Sequence, residues 1–310
     1  MLGRVFAIAM NTYREAVRAR VLFGLLAAAL AVSAYSIVIA SMSIKDEMRI
    51  VADLGSAGIS AFSVLTSVIL GATSLYRELE LKTVFPILTR RLRRHEYIVG
   101  KYLGIVGVLL VFNAVDGAAV LGILAVQSAQ HVGLTLSVAG ALLVALGIGL
   151  WRAKRTRVFF LLPWSVVAFV AMALVADGAG AERQLVIVSA ALTLAEVCII
   201  VAMATLFSSF SSPFLTAIFT AMLFMIGRSA DTLGNLPAKL FTEGGRAAGI
   251  ALARVVPNLN LYVPPRPVLL GEVPAIRLPV YVATAWGNAL LYAFVLLVLS
   301  AIVFRRRDFQ

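Results

Sequence analysis

Eight apolar runs divide the 310-residue chain, at 21–44, 57–76, 102–126, 134–150, 158–176, 185–207, 213–230 and 279–304. A hydrocarbon layer of roughly 30 Å takes about 20 helical residues at about 1.5 Å each. Most of the runs reach that length. The two shortest, 134–150 and 213–230, sit at its lower edge, where a re-entrant segment is the alternative to a full span. Lipid offers no partner to a backbone N–H or C=O, so a chain of this kind is confined to helices or a closed barrel, and continuous runs of this length are helical. The expected fold is therefore all-α, a polytopic integral membrane protein with about eight apolar spans. Composition agrees, with 61% hydrophobic residues, 14% charged residues and a mean hydropathy of +0.98.

The net charge of +12 then reads as topology. Short cytoplasmic loops collect Lys and Arg. With the N-terminus inside, segments 1–20, 77–101, 151–157 and 305–310 carry four, seven, four and three of them, eighteen of the twenty-seven in the chain. The outer loops 45–56, 127–133 and 177–184 carry two, none and one. Only 231–278, with five, is ambiguous, and long loops influence orientation little. Both termini are expected on the cytoplasmic side. Basic residues placed this way, in short loops beside apolar runs, argue against nucleic-acid binding. The single cysteine, Cys198, lies within an apolar run and excludes an internal disulfide or a thiolate metal cluster.

Residues 1–20 read as an amphipathic helix lying in the membrane interface, with Leu2, Phe6, Ala9, Tyr13 and Val17 on one face and Arg4, Asn11, Arg14, Glu15 and Arg18 on the other. The run that follows, 21–44, is too long for the apolar region of a cleaved signal peptide.

The most polar stretch between two spans is 77–101, RELELKTVFPILTRRLRRHEYIVGK. Glu78 and Lys82 form an i,i+4 pair in the favourable order. Pro86 interrupts that helix, and Thr89 is the expected N-cap of a second helix through Arg90, Arg91, Arg93 and Arg94 into the third span. Arginines in a first turn oppose the helix dipole. Their reason is instead an anionic headgroup surface, at about 1 kcal/mol per basic residue, or an acidic partner. On physical grounds alone a basic membrane anchor explains this stretch as well as a docking site does.

An amphipathic first helix, two spans, the short acidic helix RELELKTVFPILTR and a basic stretch ending in Gly100-Lys101 together resemble the permease subunits of type-2 ATP-binding-cassette (ABC) exporters. In that family the helix after the second span is the coupling helix. Glu78, Glu80, Thr83, Pro86, Arg90, Gly100 and Lys101 fill the places of its motif, and Lys82 stands where the family has glycine. Thr205–Gly227 resembles the family's serine-rich turn between its fourth and fifth spans. Val255–Pro274 resembles the external Pro-Asn-Leu stretch before the last span, and the basic end at 304–309 is also similar. The likeness omits 134–176, which reads as a hairpin inserted into a six-span core, turning at the basic loop 151–157.

The resemblance implies ATPase docking through Glu78, Glu80, Thr83 and Pro86, with Arg90, Arg91, Arg93 and Arg94 at the membrane surface. It also implies a bacterial cytoplasmic (inner) membrane location, a second permease copy or a related permease as partner, and export of a substrate that the sequence does not name. The chain itself is expected to be a non-catalytic transport subunit that binds no cofactor. Gly100-Lys101 lacks the upstream glycine and the following Ser or Thr of a phosphate loop, so ATP and Mg belong to a partner ATPase.

Charged and amide groups inside spans mark either a pathway or a structural pair, because an ionised side chain at mid-bilayer costs about 2.5–3.5 kcal/mol on insertion scales. Asn113 and Asp116 fall in the third run, Glu196 in the sixth, and Arg228 with Asp231 near the outer end of the seventh. Asp116 or Glu196 paired with Arg228 is the structural alternative to contact with a cationic substrate or a proton relay. Ser60, Ser63, Ser67 and Ser74 recur at helical spacing and form a small-residue packing face. His95 and His131 are expected on opposite sides of the membrane and do not form a metal site. Segment 231–278 reads as an external cap with a short helix near 243–256 followed by an extended, proline-rich path. Two other functions fit the residues. One is a secondary transporter using Asp116 and Glu196 without ATP. The other is a mechanotransmission anchor that passes ATPase motion to an external partner.

Overall fold

In the computed structural model the apolar runs are helical, and the structure describes residues 2–43, 45–80, 93–153, 156–235, 243–274 and 276–306. The helices are α1 (Leu2–Val17), α2 (Arg20–Ala40), α3 (Glu47–Glu80), α4 (Arg94–Gln127), α5 (Val132–Arg152), α6 (Arg157–Val175), α7 (Ala181–Ser208), α8 (Pro213–Arg228), α9 (Ala230–Gly234), α10 (Glu243–Val255), α11 (Arg266–Leu269) and α12 (Leu278–Arg306), with 3₁₀ turns at Ala176–Ala179 and Leu259–Tyr262. Seven of them, α2 to α7 and α12, are long and apolar enough to cross a membrane. The chain is a polytopic, all-helical membrane protein.

The eight-span expectation is corrected at 213–230. There α8 has 16 residues, about 24 Å of helix, which falls short of a 30 Å layer. Arg228 closes it, the Ser229 N–H donates to the Met225 and Ile226 carbonyls, and the chain turns through α9. Residues 256–269 then fold back over the short helix, burying Leu259, Tyr262 and Leu269 in the same core as α3, α4 and α7. Gly227 makes that return feasible, because a Cβ there would lie 2.8 Å from the Pro257 carbonyl oxygen. Residues 256–269 thus enter the bundle, and the helix at Glu243–Val255 forms where alanine-rich sequence predicts one.

A second difference lies in α3. The sequence places an outer loop at 45–56, whereas α3 is continuous from Glu47, 34 residues and about 51 Å long. Val51, Ala52 and Ile59 are fully buried, so the polar first turns of α3 carry an apolar stripe that pattern length alone does not reveal.

The bundle centres on α7, which is buried on nearly every face and packs against α3, α4 and α12. Helix α5 lies at the periphery, with Thr135 its one buried residue. It is tied to α6 by the Trp164 indole, which donates to the Leu142 carbonyl at 3.0 Å.

Helix α1 docks on α4 and α6 through Thr12, Tyr13, Ala16 and Val17, while Phe6, expected on the apolar face, is 64% exposed. The close approach depends on Gly104, where a Cβ would sit 2.6 Å from the Ala9 carbonyl oxygen and the Thr12 side chain. The Tyr13 hydroxyl donates to the Val158 carbonyl at 3.1 Å, and burial pushes its phenol up to about 12.

The start of α4 also departs from expectation. Arg93 is extended, with φ −79° and ψ 139°, so no helix runs unbroken from Thr89 into the third span. The Arg93 N–H donates to Glu96 Oε2 at 3.1 Å, and this carboxylate sets the helix start at Arg94. Glu96 also faces Arg4 of α1 at 4.0 Å, and Tyr97 stacks on Phe304 of α12 at 6.2 Å between centroids. These contacts gather α1, the start of α4 and the end of α12 at one end of the bundle.

Candidate functional site

At the opposite end, α3, α7, α8 and the folded-back 262–269 segment enclose a cavity of about 620 Å³. Two helical i,i+4 pairs of hydroxyl-bearing residues line it, Ser56 and Ser60 from α3, and Ser189 and Thr193 from α7. Phe224 and Arg228 of α8 form another wall, and Tyr262, Arg266 and Asp53 line it further. Most of the remaining surface is apolar, so the cavity combines an apolar body with a few fixed polar groups, the usual make-up of a small-molecule site.

Because α8 is short, Arg228 ends it inside the bundle rather than at the surface. Its Nη2 donates to Glu196 Oε2, midway along α7, at 2.9 Å and reaches Ser60 Oγ at 3.5 Å. The guanidinium also lies over the Phe224 ring, 5.5 Å from its centroid. Placement at a helix C-terminus favours the cation. Glu196 is fully buried and its second oxygen, Oε1, has no hydrogen-bond partner among the described residues. Nearer the mouth, Arg266 bonds Asp53 of α3 and Glu182 of α7. Burial works against its charge, but Glu182 and Asp53 outweigh that and raise its pKa above the ordinary arginine value.

Of the four intramembrane polar residues, the structure brings Glu196 and Arg228 together and keeps Asn113 and Asp116 apart from them. Asp116 Oδ1 accepts from the Ser33 hydroxyl of α2 at 3.0 Å, and its Oδ2 is buried without a partner among the described residues. The Asn113 amide donates to the Ala190 carbonyl of α7 at 3.2 Å. Asp231 accepts from Asn258 and Asn260 at 2.6 and 2.7 Å and fixes the start of the folded-back segment.

The serine face of α3 divides by depth. Ser60 lines the cavity, and Ser63 and Ser67 are fully buried. Ser74 accepts from Lys101 of α4 through its carbonyl at 3.1 Å and its hydroxyl at 3.4 Å. That contact clamps the start of α4 to α3 just before α3 reaches Glu78 and Glu80, which lie in its last turns. Their side chains, Thr83, Pro86, Arg90 and Arg91, and the side chain of Arg94 lie outside the described residues, whereas Arg93 is exposed at the N-cap of α4. His95 and His131 stand at opposite ends of α4, about 50 Å apart along a helix of its length.

Sequence reasoning did not single out Ser33, Glu96 or Arg266. A lone serine in an alanine-rich span carries no distinguishing pattern. Arg266 follows two prolines in a segment whose return into the bundle is a tertiary event. Glu96, by contrast, had a readable signal, a carboxylate three residues after an N-cap position. No known protein-family model matches the chain, and no curated protein matches it.

Proposed function

We propose that the chain is the membrane-spanning permease subunit of an ABC transporter of the type-2 exporter kind. A separate ATPase docks at 77–101 and hydrolyses ATP, and the cavity at the far end belongs to the export path. The observation that carries this reading is the continuity of α3. One 34-residue helix joins the cavity wall at Asp53, Ser56 and Ser60 to Glu78 and Glu80.

The Lys101–Ser74 clamp makes the two helices that flank the docking segment move together. A push on that segment is transmitted along α3 and α4 to the cavity, and the Glu196–Arg228 pair is the polar contact across which α7 and α8 separate or close. The ATPase binds ATP and Mg. Arg90, Arg91, Arg93 and Arg94 hold the segment against anionic headgroups. A second permease copy, or a related permease, completes the transporter in the cytoplasmic membrane, with both termini on the ATPase side.

Purification of the full chain from its native membrane tests the docking. An ATP-hydrolysing subunit is expected to co-purify, and Glu78→Lys with Glu80→Lys is expected to remove it while leaving the permease folded. Retention of the ATPase and of ATP-coupled transport in that double variant overturns the assignment.

The oxygens Glu196 Oε1 and Asp116 Oδ2, unpartnered among the described residues, favour one second reading, a proton-linked carrier that needs no ATPase. Asp116→Asn distinguishes the two. The carrier loses proton-coupled uptake, whereas the permease keeps ATP-coupled transport, because that variant leaves the Glu196–Arg228 pair intact.

A further inference from the structure

Away from the cavity, at the same end of the bundle, Gln127 joins two recesses of opposite character. One is an apolar groove of about 410 Å³ between α2, α4, α5 and α6, running along α4 from Gln127 to Ala118 with Gly122 in its floor. The other is a polar recess of about 310 Å³ above it, lined by Lys45, Asp46, Glu47, Arg49 and Glu182 as well as Gln127.

The groove has the length of one leaflet. Ala118 to Gln127 is about 14 Å of helix, against roughly 15 Å for half the hydrocarbon layer. Its rim is open to the bilayer, with Ile37 and Leu136 44% and 61% exposed. The polar recess therefore lies at headgroup depth.

Charge and hydrogen bonding define the headgroup. Lys45 and Arg49 supply cations for a phosphate, and Arg49, although paired with Asp53 at 3.8 Å, keeps a side chain 55% exposed. Two acceptors, Gln127 Oε1 and Glu182 Oε2, are buried with no partner among the described residues, while the other Glu182 oxygen is taken by Arg266. Buried acceptors need N–H or O–H donors. A primary ammonium brings three N–H donors, whereas a quaternary ammonium brings none.

We propose that these two recesses form one site for a phospholipid with a primary-amine headgroup. One acyl chain lies along Gly122 and Ala118, the phosphate rests on Lys45 and Arg49, and the ammonium donates to Gln127 and Glu182. The site does not depend on how the protein is energised.

Native mass spectrometry of the full chain tests it, after delipidation and exposure to equal amounts of phosphatidylethanolamine, phosphatidylcholine and phosphatidylglycerol with identical acyl chains. The chain is expected to hold one phosphatidylethanolamine at roughly tenfold preference over the choline lipid, the scale of a charged hydrogen bond made or lost. Gln127→Leu should reduce that preference several-fold. Gly122→Leu, which fills the groove, should abolish the retained lipid of every headgroup. Equal retention of the ethanolamine and choline lipids by the unaltered chain overturns the proposal, as does stronger retention of the glycerol lipid. This comparison needs no variant to fold.

Discussion

Helices α5 and α7 are both apolar enough to cross a membrane, yet α5 buries Thr135 alone whereas α7 is buried along most of its length. Hydropathy reports the free energy of leaving water and does not distinguish lipid from protein as the destination. Polar side chains do. Those of α5 bond their own helix, Thr135 to the His131 carbonyl at 3.0 Å and Ser137 to the Leu134 carbonyl at 2.8 Å, and so need no neighbour. Glu196 of α7 cannot be satisfied within its own helix and requires Arg228. In lipid, where apolar faces gain nothing by leaving one apolar surface for another, such polar contacts and close small-residue packing determine which helices become the core.

The contrast breaks most sharply at the ion pair. Glu196→Leu or Arg228→Leu alone leaves an unpaired buried charge and should destabilise the fold by about 3–5 kcal/mol, with much of the loss recovered in the double variant. Denaturant titration in mixed micelles measures it, and a double variant no better than either single would show that the pair does not hold α8 to α7.

A smaller loss is expected where α1 meets α4. Gly104→Leu forces a side chain against the Ala9 carbonyl and should cost about 1–3 kcal/mol and release α1 to proteolysis. An unchanged cleavage pattern would contradict the docking of that helix.

Breaking a single interhelical hydrogen bond should matter less. Ser33→Ala, which removes the donor to Asp116, is expected to cost about 0.6 kcal/mol, and no more than about 2, by the same titration. A larger loss would mean that Asp116 depends on Ser33 for more than one bond.

Smallest of all is Leu143→Ala on α5, a residue 66% exposed, expected within about 0.5 kcal/mol of the parent. A loss comparable to the core changes would sharpen the comparison, by showing that a second copy of the chain covers this face.

The spans and the all-helical class were legible because membrane insertion is decided residue by residue along the chain. The pairing of Glu196 with Arg228 was legible as one of two options, since each polar group in a span calls for a partner but sequence does not say which. The start of α4 was misjudged because Thr89 is a good cap in isolation, while Glu96 caps from the other direction. The return of 256–269 into the bundle was not legible, since the proline-rich sequence reads only as an extended path. Its depth depends on the shortness of α8 and on Gly227, features that carry no signal until the helices are packed.

The central claim is that work done at one end of α3 is felt at the other. The rate at which a thiol reagent labels Ser60→Cys, in the assembled transporter with the buried Cys198 replaced by alanine, tests it most directly. ATP with Mg is predicted to change that rate several-fold, and Glu78→Lys with Glu80→Lys to abolish the change. An identical labelling rate with and without ATP hydrolysis would contradict it.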